Sequence, residues 1–206
     1  MDQIKTFQVE NQDEEEFRLE CQYQIGFIYW YNEMHQKSMD ILLPLVSKRE
    51  KIEDFQFSNM LLVILKSLSK LRKLGQAKEI FERFIDDRCI NNFYQIEGML
   101  LWYVEALDPA ESQLRLYQHK LRKLMKGLGY YPEKVTFKDQ ILAIKEVHLK
   151  VNRQFSEISL DYRKEPKAVT LQRLNDFILS NPPKFYRGLA NEFKSKIEAK
   201  IKACKE

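Results

Sequence analysis

The side chains that most often carry chemistry are few in this chain and stand apart. Its three histidines, His35, His119 and His148, have no second His or Cys at metal-ligand spacing. His148 reads as a surface or core-edge residue. Cys21, Cys89 and Cys204 are odd in number and far apart. They form no disulfide framework and no paired metal spacing, and they point to a reducing compartment. The acidic run Asp13 to Glu16 suits the first turn of a helix, where negative charge meets the positive end of the helix dipole. Asp86-Asp87 reads as a helix end, because acid–base work by two carboxylates needs an enclosing pocket. No phosphate-cradling glycine loop, nucleophile elbow or zinc-protease motif is present. These absences point away from an enzyme and toward a chain with no catalytic residue, metal or cofactor.

The elements that would position these residues are helices. The 206 residues are 44% hydrophobic and 31% charged, and they include only 6 Gly and 6 Pro. Strand-rich folds need many turns, so this scarcity favours long helices. No alternating strand pattern of useful length appears. Apolar residues at helical spacing predict about nine helices, mostly in antiparallel pairs. The first runs from about Glu14 to Asn32 with a stripe of Phe17, Cys21, Ile25 and Ile28. The second runs from about Gln36 to Ser47, where Pro44 should bend or shorten it. Helices ending at Gly75, over 76–87 and over 93–106 follow. Asp108, Pro109 and Glu111 read as the start of one helix reaching Gly127 or Gly129. Later helices begin near Thr136 and at Pro166, and the last follows Ser180-Asn181-Pro182-Pro183.

Charge is unevenly placed. Residues 1–100 hold 13 basic and 17 acidic side chains, and residues 101–206 hold 21 and 13. The halves are therefore −4 and +8, giving the net +4. Lys120, Arg122, Lys123 and Lys126 form a basic segment that could meet phosphates or an anionic surface. No run approaches the length of a membrane span. The N-terminus is acidic and lacks the apolar core of a signal peptide. The expectation is a cytoplasmic protein, with nuclear or processed organellar locations as alternatives.

The densest pattern lies in Gln22 to Leu45. Ile25-Gly26, Tyr29, Ser38, Leu42 and Leu45 fall in an order that resembles the tetratricopeptide repeat. In that family small residues let paired helices approach and large ones fill the space beside them. Residues 59–85 echo it with Ser67, Leu71, Gly75, Ala77, Phe81 and Phe84, across a connection shorter than the family's. Residues 92–117 echo it with Gly98, Leu101, and Ala110 with Leu114 or Leu116. The usual proline after each repeat is absent. The resemblance implies an all-α fold of antiparallel helical hairpins stacked as a short superhelix over residues 14–127. Residues 132–206 would add C-terminal helices that pack on or cap it.

The resemblance further implies a protein–protein interaction scaffold or adaptor, binding a peptide or helix of a partner within a larger complex. Its inner face would show Glu20, Tyr23, Phe27, Trp30 and Tyr31, then Gln95, Met99, Trp102 and Tyr103. Relatives that clamp carboxylate tails carry Lys and Asn where this chain has Tyr23 and Phe27, so an aromatic groove for an apolar or helical ligand is expected instead. Burial of these aromatics within the chain itself is the competing expectation. The alternative function is a nucleic-acid-binding helical protein using the basic C-terminal half.

Overall fold

A computed structural model describes residues 15–203 of the chain. The lead-in over residues 1–12, the acidic residues Asp13 and Glu14, and Cys204 lie outside the described residues. The fold is all-α: ten α-helices and no strand lie among the described residues. The chain divides into two compact units, Met1–Pro109 and Ala110–Glu206. That division falls earlier than the break expected between residues 127 and 132.

The first unit holds α1 (Glu15–Tyr31), α2 (His35–Leu45), a 3-10 turn (Val46–Lys51), α3 (Asp54–Lys70), α4 (Leu74–Phe84) and α5 (Phe93–Leu107). Its boundaries repeat. α3 starts and ends 39 residues after α1, α4 starts and ends 39 residues after α2, and α5 starts a further 39 after α3. The turns repeat too. Glu33 and Arg72, again 39 apart, both have φ 59 in the left-handed region. Glu33 and Met34 donate their N–H groups to the carbonyls of Trp30 and Tyr29; Arg72 and Lys73 donate theirs to Ser69 and Leu68. Each pair closes off the carbonyl end of the preceding helix. A short connection at Gly75 was expected. Gly75 instead lies inside α4, and the true connection, Leu71–Lys73, has the same three-residue length as Asn32–Met34. Arg72 takes the left-handed position that glycine usually marks, so the sequence hides the turn.

α1 packs on α2 and α3, and α3 packs on α4 and α5. The first hairpin closes tightly because of Gly26. A Cβ there would overlap the Leu42 side chain, while the Ser38 hydroxyl, fully buried, donates 2.9 Å to the Gly26 carbonyl. Phe57, Met60, Leu61, Ile64, Phe81 and Ile96 are fully buried in this unit's core. Ile28, expected in the first stripe, is 37% exposed. α5 starts at a capping box, in which the Asn92 side chain accepts from the Gln95 N–H at 3.0 Å and Gln95 Oε1 accepts from the Asn92 N–H at 3.2 Å.

The end of one hairpin is tied to the end of the next by Arg49, which lies in the 3-10 turn and is 7% exposed. Its Nε donates to both Asp87 oxygens at 3.1 Å, and its Nη2 donates to Asp87 at 2.8 Å and to Asp54 at 2.6 Å. Its Nη1 donates to the Ile52 carbonyl at 3.2 Å, and the guanidinium lies 4.7 Å from the Phe57 ring centroid. Asp87 also accepts from the Cys89 N–H at 2.9 Å. The Arg49 hydrogen bonds hold the Asp87 carboxyl at about 2, well below its usual range. Burial, then the neighbouring Asp87, pushes the Cys89 thiol up to about 12. Asp87 is therefore an ion-pair partner and not simply the end of a helix.

The second unit holds α6 (Glu111–Arg115), α7 (Gln118–Leu128), α8 (Phe137–Asp161), α9 (Lys167–Leu179) and α10 (Lys184–Ala203). The single helix expected from Asp108 is broken. Asp108 terminates α5 with φ 41, and the chain kinks between Arg115 and Gln118. Glu111, expected to answer a cap at Asp108, instead accepts from the Phe137 N–H at 3.1 Å, which fastens α6 to the start of α8. Thr136 caps α8 with Asp139 as expected, its hydroxyl accepting from the Asp139 N–H at 3.1 Å. α9 packs on α8 and α10, and Phe155, Phe177, Tyr186 and Phe193 form an aromatic cluster between them.

Gly26→Ala should destabilise the protein by about 1–3 kcal/mol, since Leu42 must leave its place to admit the methyl group. Gly75→Ala, with nothing within 4 Å of the added carbon, should stabilise it by up to about 1 kcal/mol. Denaturant midpoints of the two variants check the opposite signs. Arg49→Met should cost about 3 kcal/mol by stranding Asp87. Because the folded Asp87 carboxyl titrates below its unfolded value, its contribution is present above about pH 4 and is lost as pH falls toward 2. Urea titrations across that window should show a shallower acid loss in Arg49→Met than in the unaltered chain.

Candidate functional site

The hairpin repetition brings α1, α3 and α5 together along one side of the first unit. Between them lies a groove of about 750 Å³. α1 gives it Trp30 and Tyr31; α3 gives Lys66, Ser69 and Lys70; α5 gives Gly98, Leu101, Trp102, Glu105 and Ala106. Most of these are equivalent positions of the repeat. Trp30 and Ser69 are 39 residues apart, as are Tyr31 and Lys70, and Lys66 and Glu105. Gly98 faces α3, where an added Cβ would sit 2.9 Å from Leu62 Cδ1.

The two ends of α1 differ. Toward its start the inner residues are consumed by α3: Glu20 accepts from the Gln56 amide, and Tyr23, 8% exposed, is hydrogen-bonded to Asn59. Burial pushes the Tyr23 phenol above its usual range. Phe27 bridges the two ends, with ring centroids 4.5 Å from Tyr23 and 6.2 Å from Trp30. Toward the end of α1 the surface opens. Trp30 is half-buried and Tyr31 is 82% exposed. Lys66 and Lys70 form no ion pair among the described residues. The groove therefore has aromatic and aliphatic walls with cations at α3 and carboxylates at Glu33 and Glu105.

The sequence placed the third set of inner residues one helical step off. Met99 is fully buried, and Gln95 is 7% exposed, its amide donating 2.6 Å to the Ser58 hydroxyl. Neither reaches the groove. Tyr103 stacks on Phe81 at 4.4 Å and 5° and is likewise buried. Gly98, Leu101 and Glu105 take the inner positions instead. Trp102 does line the groove, but it is only 6% exposed and its indole Nε1 donates 2.9 Å to the Ser69 hydroxyl. The sequence missed Lys66, Ser69 and Lys70 altogether. A 39-residue offset applied to Trp30 and Tyr31 would have found the last two.

Of the basic segment in α7, Lys120 is buried at 6% exposure, on the same face as Leu121 and Leu124. Its long apolar stem suits that place, but the residue is withdrawn from the anion-binding set. Arg122, Lys123 and Lys126 are exposed. No group of three or more His, Cys, Asp or Glu residues with metal-binding geometry occurs among the described residues. None of the described helices is long and apolar enough to cross a membrane. Against protein-family models, curated protein sequences and solved structures, the chain finds no match.

Trp102 and Tyr31 should separate packing from surface. Trp102→Ala should cost about 3–5 kcal/mol by opening a cavity beside Phe81 and removing the hydrogen bond to the Ser69 hydroxyl. Tyr31→Ala should change stability by less than about 0.5 kcal/mol. Thermal melts followed by circular dichroism measure both.

Proposed function

We propose that this protein is a non-enzymatic interaction scaffold or adaptor, and that its first unit binds a segment of another protein in the groove between α1, α3 and α5. The proposal includes reading the three hairpin starts as a degenerate tetratricopeptide-like array. The observation that carries it is the repetition of groove positions. The same offset that relates helix boundaries and turns also relates Trp30 to Ser69, Tyr31 to Lys70 and Lys66 to Glu105. The period of 39 exceeds the roughly 34 residues of the tetratricopeptide unit. Each hairpin is followed by an eight-residue link, residues 46–53 and 85–92.

The chemistry of the walls suits a helical or extended segment with an apolar anchor against Trp30, Leu101 and the edge of Trp102. Lys66 and Lys70 favour acidic residues beside that anchor. A reducing, cytoplasmic setting belongs to the same reading, for which Cys21 and Cys89 are free buried thiols.

The test uses Tyr31→Ala combined with Lys66→Glu, two exposed changes that leave the core alone. Affinity purification from the native source should recover a stoichiometric protein partner with the unaltered chain. The double variant should retain at least about tenfold less of it at an unchanged melting temperature. Full retention of that partner would sink the groove assignment.

A further inference from the structure

The second unit has a cleft with a different chemistry from the groove. It has a volume of about 660 Å³ and is built from three stretches: the residues after α7, one face of α8, and the connection from α9 into α10. Gly129 holds the first stretch in place. Its φ is +70, and a Cβ there would meet the Lys184 backbone, with N at 3.1 Å and Cα at 3.3 Å. The end of α7 is thus pressed against the start of α10, and Tyr130 and Tyr131 follow as one wall. On α8, Lys150 and Gln154 lie one turn apart and face the same space.

The charge of this cleft is one-sided. Lys150, Lys184 and Arg187 line it, and none of its lining residues is Asp or Glu. Lys150 and Lys184 are exposed and form no ion pair among the described residues. Arg187 is oriented by one bond, Nη1 donating 2.8 Å to Asn181 Oδ1, which leaves its other N–H groups for a ligand. Lys184 is also the first residue of the 20-residue helix α10, whose positive dipole end opens here. The surrounding field has the same sign. Residues 110–206 hold 21 basic and 11 acidic side chains, a net +10.

Three cations in a concave site of small-molecule size, with no carboxylate to neutralise them, favour an anion with several acceptor oxygens. The flanking tyrosines offer ring faces and hydroxyls to whatever group bears that anion. We propose that this cleft binds the phosphate of a phosphate monoester. Lys150, Lys184 and Arg187 contact the phosphate oxygens, and Tyr130 and Tyr131 lie against the esterified group. The proposal does not depend on the groove in the first unit.

Isothermal titration of the full chain with inorganic pyrophosphate and with AMP tests a soluble ester. Flotation with phosphatidylcholine vesicles containing a phosphatidylinositol phosphate tests a headgroup. Binding in either arm should fall at least about tenfold in Lys184→Glu and in Lys150→Glu, while Lys202→Glu, exposed near the far end of α10, leaves it unchanged. AMP binding more tightly than pyrophosphate would support the tyrosine wall. Melting temperatures verify that Lys150→Glu, on an exposed helix face, leaves the fold intact. No binding in either arm overturns the proposal. So does binding equally weakened by Lys202→Glu, or binding seen only with a single-stranded oligonucleotide.

Discussion

The Arg49 guanidinium touches two carboxylates, a backbone carbonyl and the face of Phe57, and the order of the first unit depends on it. A hairpin of two helices can rotate against its neighbour unless its link is fixed. Arg49 fixes that link. It joins the 3-10 turn after α2, the first turn of α3 at Asp54 and the segment after α4 at Asp87. A charge this buried carries a desolvation cost, offset here by five hydrogen bonds from its three nitrogens. Its directional bonds define one register between hairpins, which apolar packing alone leaves looser.

Once the link is fixed, the groove follows from repetition. Three helices of like position lie side by side, so residues 39 apart face the same space. Gly26 and Gly98 contribute in different ways. Gly26 closes α1 on α2 within a hairpin, and Gly98 brings α5 against α3 across hairpins. The first closure sets the thickness of the hairpin. The second leaves room for the Leu62 side chain between α3 and α5.

The second unit has no such repetition. Its helices range from the 5 residues of α6 to the 25 of α8, and its core is organised by aromatic contacts around Phe155. Its cleft comes from irregular backbone: a left-handed Gly129, a left-handed Asn181 and two prolines before α10. These turns set the start of α10 beside α8, so that Lys184 and Arg187 of α10 line the cleft together with Lys150 of α8.

The sequence by itself determined the all-α class, the Gly26–Ser38–Leu42 hairpin, the Thr136 cap and the break before α10. Each is written locally, in apolar spacing, a small residue at a crossing, or turn chemistry within a few positions. The second connection was not legible, because Arg72 occupies a left-handed position that glycine would have announced. The broken helix after Pro109 was not legible either, because Glu111 is claimed by Phe137, a partner 26 residues on. The same holds for the site. Trp30, Tyr31 and Trp102 could be placed from their spacing. Whether an aromatic is wall or core was decided by its neighbours: Met99 and Tyr103 turned inward against other helices, while Lys66 and Lys70 turned out. Helical spacing gives the face of a helix on which a residue lies. Only the packing of the other helices decides whether that face is covered.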